Sequence, residues 1–101
     1  MTDFTYIKDD KLRQKVDEFD KIVAEMRETL IRKNSDYGNE NIGTLGEKGI
    51  FVRIFDKVCR LKNLVWNSKE AQVKGETTLD TYMDLANYAI IAIIFNRGKW
   101  Q

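Results

Sequence analysis

The stretch Thr77-Thr78-Leu79-Asp80-Thr81-Tyr82-Met83-Asp84-Leu85-Ala86-Asn87-Tyr88-Ala89-Ile90-Ile91-Ala92-Ile93-Ile94-Phe95-Asn96 decides the fold. Thr77 followed three residues later by Asp80 reads as a capping box that opens a helix, and Gly98 stands where that helix should stop. From Leu85 to Phe95 the only polar groups are Asn87 and the hydroxyl of Tyr88, so the helix is apolar almost all round. These eleven residues fall short of the roughly 20 that a membrane span needs, so protein must cover them. Two neighbouring helices of one small chain cover only part of that circumference. A homo-oligomer, in which this third helix packs against its copy, is therefore expected. The alternative is that Phe4, Tyr6, Ile7 and Trp100 fold over it.

Outward from this helix, the absence of proline and the clustering of five of the six glycines, at 38–49 and at 75, leave room for two more long helices. Leu12, Val16, Phe19, Val23, Met26 and Leu30 recur at alternating spacings of four and three and predict a first helix over about 11–33. Asp9 and Asp10 can cap its start, and Arg32 and Lys33 complement its end. Asn34-Ser35-Asp36-Tyr37-Gly38-Asn39 favours a turn, and Gly43, Gly46 and Gly49 extend an irregular connection without a strand. A second helix over about 49–67 puts Phe51, Ile54, Phe55, Val58, Leu61 and Val65 on one side. Arg53, Asp56, Lys57, Arg60 and Asn63 fall on the other. After the polar segment 68–75, the third helix runs over about 77–96. The expectation is one all-α domain, residues 1–101, a bundle of three long helices with 1–10 as an N-terminal arm and helix three buried in an oligomer.

Composition narrows the chemistry. With no histidine and one cysteine among 101 residues, a Ser-His-Asp triad, a Cys-His pair and a Cys/His zinc site within one chain are all excluded, and any metal must sit on oxygen. The lone Cys59, and an N-terminus that carries Asp3, Asp9 and Asp10 instead of a basic leader, point to the cytoplasm, with no membrane partner. A net charge of +1 argues against direct DNA binding, although a local basic stripe can still hold phosphates.

Two constellations carry chemistry. Glu76, Asp80 and Asp84 at i, i+4 and i+8 form a carboxylate ladder. Asp80 is explained by the capping box and Glu76 as an acid at a helix start, whereas Asp84, two turns in and directly before the apolar run, needs an Arg, Lys or metal partner. On the second helix Arg53, Asp56, Lys57 and Arg60 form a stripe of three cations around one acid, which is either a solvated face or half of a polar seam against the acids of helix three. Arginines in such a seam offer forked donors suited to phosphate. In the first loop Lys33, Asn34, Asp36, Tyr37 and Asn41 place a ring, amides and charge close together, as a base or sugar site does. The three glycines at 43, 46 and 49 supply turns or close approach and make no P-loop.

Three blocks carry a resemblance: Lys33-Asn34-Ser35-Asp36-Tyr37-Gly38; Gly49-Ile50-Phe51-Val52-Arg53-Ile54-Phe55-Asp56-Lys57-Val58-Cys59-Arg60-Leu61; and Glu76-Thr77-Thr78-Leu79-Asp80-Thr81-Tyr82-Met83-Asp84-Leu85-Ala86-Asn87-Tyr88-Ala89. Together they resemble the nucleotide modification associated domain 1 family of bacteriophages, itself similar to the all-α NTP pyrophosphohydrolases of the MazG-like group. The resemblance implies nucleotides as ligands and, in that superfamily, Mg²⁺ held by acids on neighbouring helices. Asp84 with Leu85-Ala86-Asn87-Tyr88 resembles the superfamily's final acid, but Thr81 stands where a glutamate is usual, and the earlier acid-rich helix is replaced by Arg53-Ile54-Phe55-Asp56-Lys57.

Three readings follow. In the first, a non-catalytic phage-type protein binds or sequesters a nucleotide between helices at a subunit interface, with Arg53, Lys57, Arg60 and Lys33 on phosphates and Tyr37, Asn34 and Asn41 on base and sugar. In the second, a Mg²⁺-dependent pyrophosphohydrolase of ordinary or modified nucleotides holds its metal on Asp56, Asp80, Asp84 and Glu76. In the third, the polar seam only fixes helix register in a structural oligomer.

Overall fold

A computed structural model describes residues 8–38 and 40–101. Its order is α1 (Asp10–Tyr37), α2 (Glu40–Gly43), α3 (Gly46–Leu61), a π-helical turn (Lys62–Trp66) and α4 (Thr78–Asn96). No strand occurs among the described residues, so the fold is all-α. The N-terminal arm, with Phe4, Tyr6 and Ile7, lies outside the described residues apart from its last positions, 8–10.

The chain divides into two compact units, the first ending at Arg32 and the second running Lys33–Gln101, so the division falls inside α1. In the first unit Asp9 caps α1, its carboxylate accepting from the N–H groups of Lys11 at 2.9 Å and Leu12 at 3.3 Å. Leu12, Phe19, Ile22 and Val23 stand exposed along this helix.

The second unit contains the end of α1 from Lys33 onward, α2, α3, the π turn and α4. The first helix does not stop at Lys33. It continues to Tyr37, because the turn preferences of Asn34, Ser35 and Asp36 are weak against further helical hydrogen bonds, and it ends only where Gly38 takes a φ of 73°. Arg32 and Lys33 therefore lie before the last turn rather than at the helix end. The connection is also more helical than its glycines suggest: Ile42 is buried and anchors α2, and α3 begins at Gly46, three residues before Gly49. Gly46 has a φ of 63°, and a Cβ there would lie 3.5 Å from the ring of Phe95. At Gly49 a Cβ would collide with the Cβ of Leu45, so that glycine is required by close approach.

Helices α3 and α4 run antiparallel. Gly46 stands by Phe95, Arg53 by Tyr88, Lys57 by Asp84 and Arg60 by Thr81, so each step along one helix is matched by a step back along the other. Ile50 and Ile91 are buried, while Ile54, Leu61, Leu64, Leu85 and Tyr88 are half-buried. The apolar arc on α3 is wider than this partner covers: Phe51, Phe55, Val58 and Val65, expected to share a side with Ile54 and Leu61, remain exposed.

Helix α4 opens on the expected capping box and closes at Gly98, φ 70°, with the Gly98 N–H on the Phe95 carbonyl and the Lys99 N–H on that of Ile94. The helix formed by α3 and the π turn closes differently. The Lys69 N–H reaches the Asn63 carbonyl at 3.0 Å, and the left-handed position is filled by Ser68, φ 55°, instead of glycine. Ser68→Gly should remove that strain and stabilise the fold by about 1 kcal/mol, read as a higher urea midpoint. An unchanged or lower midpoint would show that Ser68 carries no strain.

Candidate functional site: a cationic seam on Asp84

The seam is built at the centre of the antiparallel pair. Asp84 leads into the apolar half of α4, and its carboxylate oxygens are each taken by a lysine: Oδ2 lies 3.3 Å from Lys57 Nζ on α3 and Oδ1 lies 3.3 Å from Lys33 Nζ on α1. Asp84 and Lys57 are both mostly covered, whereas Lys33 is half open to solvent. Partly exposed pairs of this kind contribute about 1 kcal/mol or less each, but here one carboxylate joins three helices. Two ammonium groups on one carboxylate also leave the cluster with an excess positive charge.

One turn away on α3, the Arg53 guanidinium carbon lies 5.7 Å from the centroid of the Tyr88 ring. The ring face stabilises that charge without neutralising it. At the other end each of the three guanidinium nitrogens of Arg60 meets the protein. Its Nε donates to the Thr81 hydroxyl at 3.0 Å, one terminal nitrogen donates to the Glu76 carbonyl at 2.6 Å, and the other lies 3.6 Å from the Glu76 carboxylate. Thr81 is buried and its hydroxyl donates in turn to the Thr77 carbonyl at 3.0 Å. Arg60 is thus a strap that fixes the loop before α4 onto the end of α3.

The four acids suggested for a metal do not converge. Asp84 is bridged by two lysines, Glu76 is held by Arg60, Asp56 is exposed on α3, and Asp80 is engaged with Thr77. No group of three or more acidic or thiol side chains able to hold a metal occurs among the described residues. In the capping box the Asp80 backbone N–H donates to the Thr77 hydroxyl oxygen at 3.0 Å, and Asp80 Oδ2 accepts from the Thr77 N–H at 3.1 Å and from its hydroxyl at 2.8 Å. These bonds, the backbone one first, hold the Asp80 carboxyl below its ordinary range.

The loop residues proposed for base and sugar are partly gathered. Tyr37 lies one helical turn after Lys33 on the same face of α1, and its ring is exposed. Asn34 is exposed on that last turn, and its carbonyl accepts from Gly38 N–H at 2.8 Å. Asn41 is half-buried on α2. Sequence reasoning missed Thr81 and Tyr88 as working parts of the seam. For Thr81 the signal was its place one turn after the cap residue Thr77 and three before Asp84, which turns its hydroxyl toward the same neighbour. Tyr88, one turn after Asp84, lies on that face too.

The arrangement is that of a small all-α module whose antiparallel helices carry a cation-rich seam. The chain belongs to a family described as Nucleotide modification associated domain 1, whose model matches residues 33–95. That match starts at Lys33, where the second compact unit starts, and it contains every residue of the seam. No curated protein and no solved structure matches the chain. Among the described residues no helix is long and apolar enough to cross a membrane.

The capping box gives a pH prediction. Because the folded Asp80 carboxyl titrates below its unfolded counterpart, its stabilisation is complete above the unfolded value of 3.8 and is lost as pH falls through the lower folded value. Asp80→Asn should therefore melt below the parent protein at neutral pH, with the gap closing in acid. A gap that stays constant into acid would contradict this assignment.

Proposed function

We propose that this protein is a non-catalytic nucleotide-binding protein of phage type, which grips phosphate with Lys33, Lys57 and Arg53 and sequesters the nucleotide. Lys33 and Lys57 share one carboxylate and retain excess charge, and Arg53 on Tyr88 adds a forked donor one turn away. Tyr37, a turn from Lys33, supplies an exposed ring for a base, with Asn34 and Asn41 as amide donors and acceptors. Arg60 contributes positive potential from its strap and keeps its own hydrogen bonds.

One observation carries this reading over hydrolysis: both oxygens of Asp84, the acid best placed to hold a metal, are occupied by lysines. Activating water on Mg²⁺ takes several free oxygen ligands, whereas phosphate binding takes cations. The family's description, which associates the domain with nucleotide modification, supports a nucleotide as the ligand. A cytoplasmic location, consistent with the single thiol, belongs to the same reading.

Thermal shifts against mono-, tri- and cyclic nucleotides, in Mg²⁺ and in chelator, test it. Stabilisation that persists in chelator, weakens with salt, falls at least about tenfold in affinity on Lys57→Ala and returns the ligand intact is expected. Mg²⁺-dependent release of pyrophosphate and monophosphate would overturn it in favour of an enzyme, and no shift with any nucleotide would overturn it in favour of a purely structural seam.

A further inference from the structure

We propose that the outer face of the α3–α4 pair docks a second copy of this chain, about a two-fold axis that sets α3 antiparallel to the partner's α3. This surface is separate from the Asp84 seam and does not depend on the nucleotide reading. On α3 and its π turn, Phe51, Phe55, Val58, Lys62 and Val65 recur at alternating spacings of four and three, the spacing of a helix–helix seam. The four apolar members are 63%, 55%, 47% and 49% exposed, and Trp66 beside them is 83% exposed. The rings of Phe51 and Phe55 stack with centroids 6.3 Å apart, so part of the face is already ordered. Tyr82 of α4 joins it, lining with Val58, Leu61, Lys62, Val65 and Trp66 a shallow apolar cleft of about 440 Å³.

The charges that flank the Phe51–Val58 part of this stripe point to the occupant. Glu47 lies one turn before Phe51 and Lys62 lies one turn after Val58. Both are exposed, and neither forms an ion pair among the described residues. A two-fold that sets Phe51 on the partner's Val58 therefore sets Glu47 on the partner's Lys62, and the same pair recurs at the other end. From Glu47 to Lys62 the stripe is complementary to itself when reversed, which is the requirement of a two-fold interface. An acid at one end of the stripe also makes it a poor match for an anionic lipid surface. The second unit gains from such a partner, since its buried apolar side chains among the described residues are Ile42, Ile50 and Ile91.

Sedimentation of the full chain, without nucleotide, at about 100 μM tests the proposal. The expected species has twice the 11.8 kDa chain mass. Phe55→Glu, at an exposed position, should keep its helical circular dichroism and raise the dissociation constant about 100-fold. Glu47→Lys and Lys62→Glu should each weaken the dimer about tenfold, and the two together should restore it. A monomer at this concentration, a dimer indifferent to Phe55→Glu, or a double swap no tighter than either single one would overturn the proposal.

Discussion

The rest of the second unit depends on how one carboxylate is neutralised. Asp84 stands at the entrance to a run of side chains that are apolar on nearly every side, where a lone charge would oppose the packing of the helix that bears it. Lys57 and Lys33 meet its two oxygens from α3 and α1, and this contact fixes the register of α4 against α3. Once Lys57 faces Asp84, Arg53 falls on Tyr88, Arg60 reaches Thr81 and Glu76, and Gly46 comes beside Phe95. The strap at Arg60 ties the polar loop to the helix end, and no buried side-chain polar atom among the described residues lacks a partner.

The same register separates two surfaces. One, on the seam, carries more cations than acids and includes an exposed tyrosine a turn from Lys33. The other, along Phe51, Phe55, Val58 and Trp66, is apolar and exposed. On α4 too, Ile90 and Ile93 stand exposed.

Much of this was legible in the residues. The third helix was readable at both ends because Thr77, Asp80 and Gly98 act through local hydrogen bonds that need no tertiary partner. The need of Asp84 for an Arg, Lys or metal partner was readable from its place directly before the apolar run, but not which of them, because sequence spacing gives the face of a helix and not its register against another. The end of the first helix was misread, since Asn34, Ser35 and Asp36 resist helix by only a few tenths of a kcal/mol each, while Gly38 stops it through its positive φ. The π turn at Lys62–Trp66 differs from α-helix by one step of hydrogen bonding and leaves no mark in composition. Arg60, grouped with the phosphate ligands from its stripe, is engaged by the loop and by a buried threonine that a charge pattern does not reveal.

Asp84 is a counter-ion for Lys33 and Lys57, and whether a metal ever replaces them can be measured. The most direct measurement is calorimetric titration of a stabilising nucleotide into the parent protein and into Asp84→Asn, each with and without Mg²⁺, below the lower of their melting temperatures. Removing a negative charge from beside the cations proposed to hold phosphate should leave affinity equal or tighter, without dependence on Mg²⁺, while the variant melts at a lower temperature. Binding that requires Mg²⁺ in the parent and disappears in Asp84→Asn would make Asp84 a metal ligand instead.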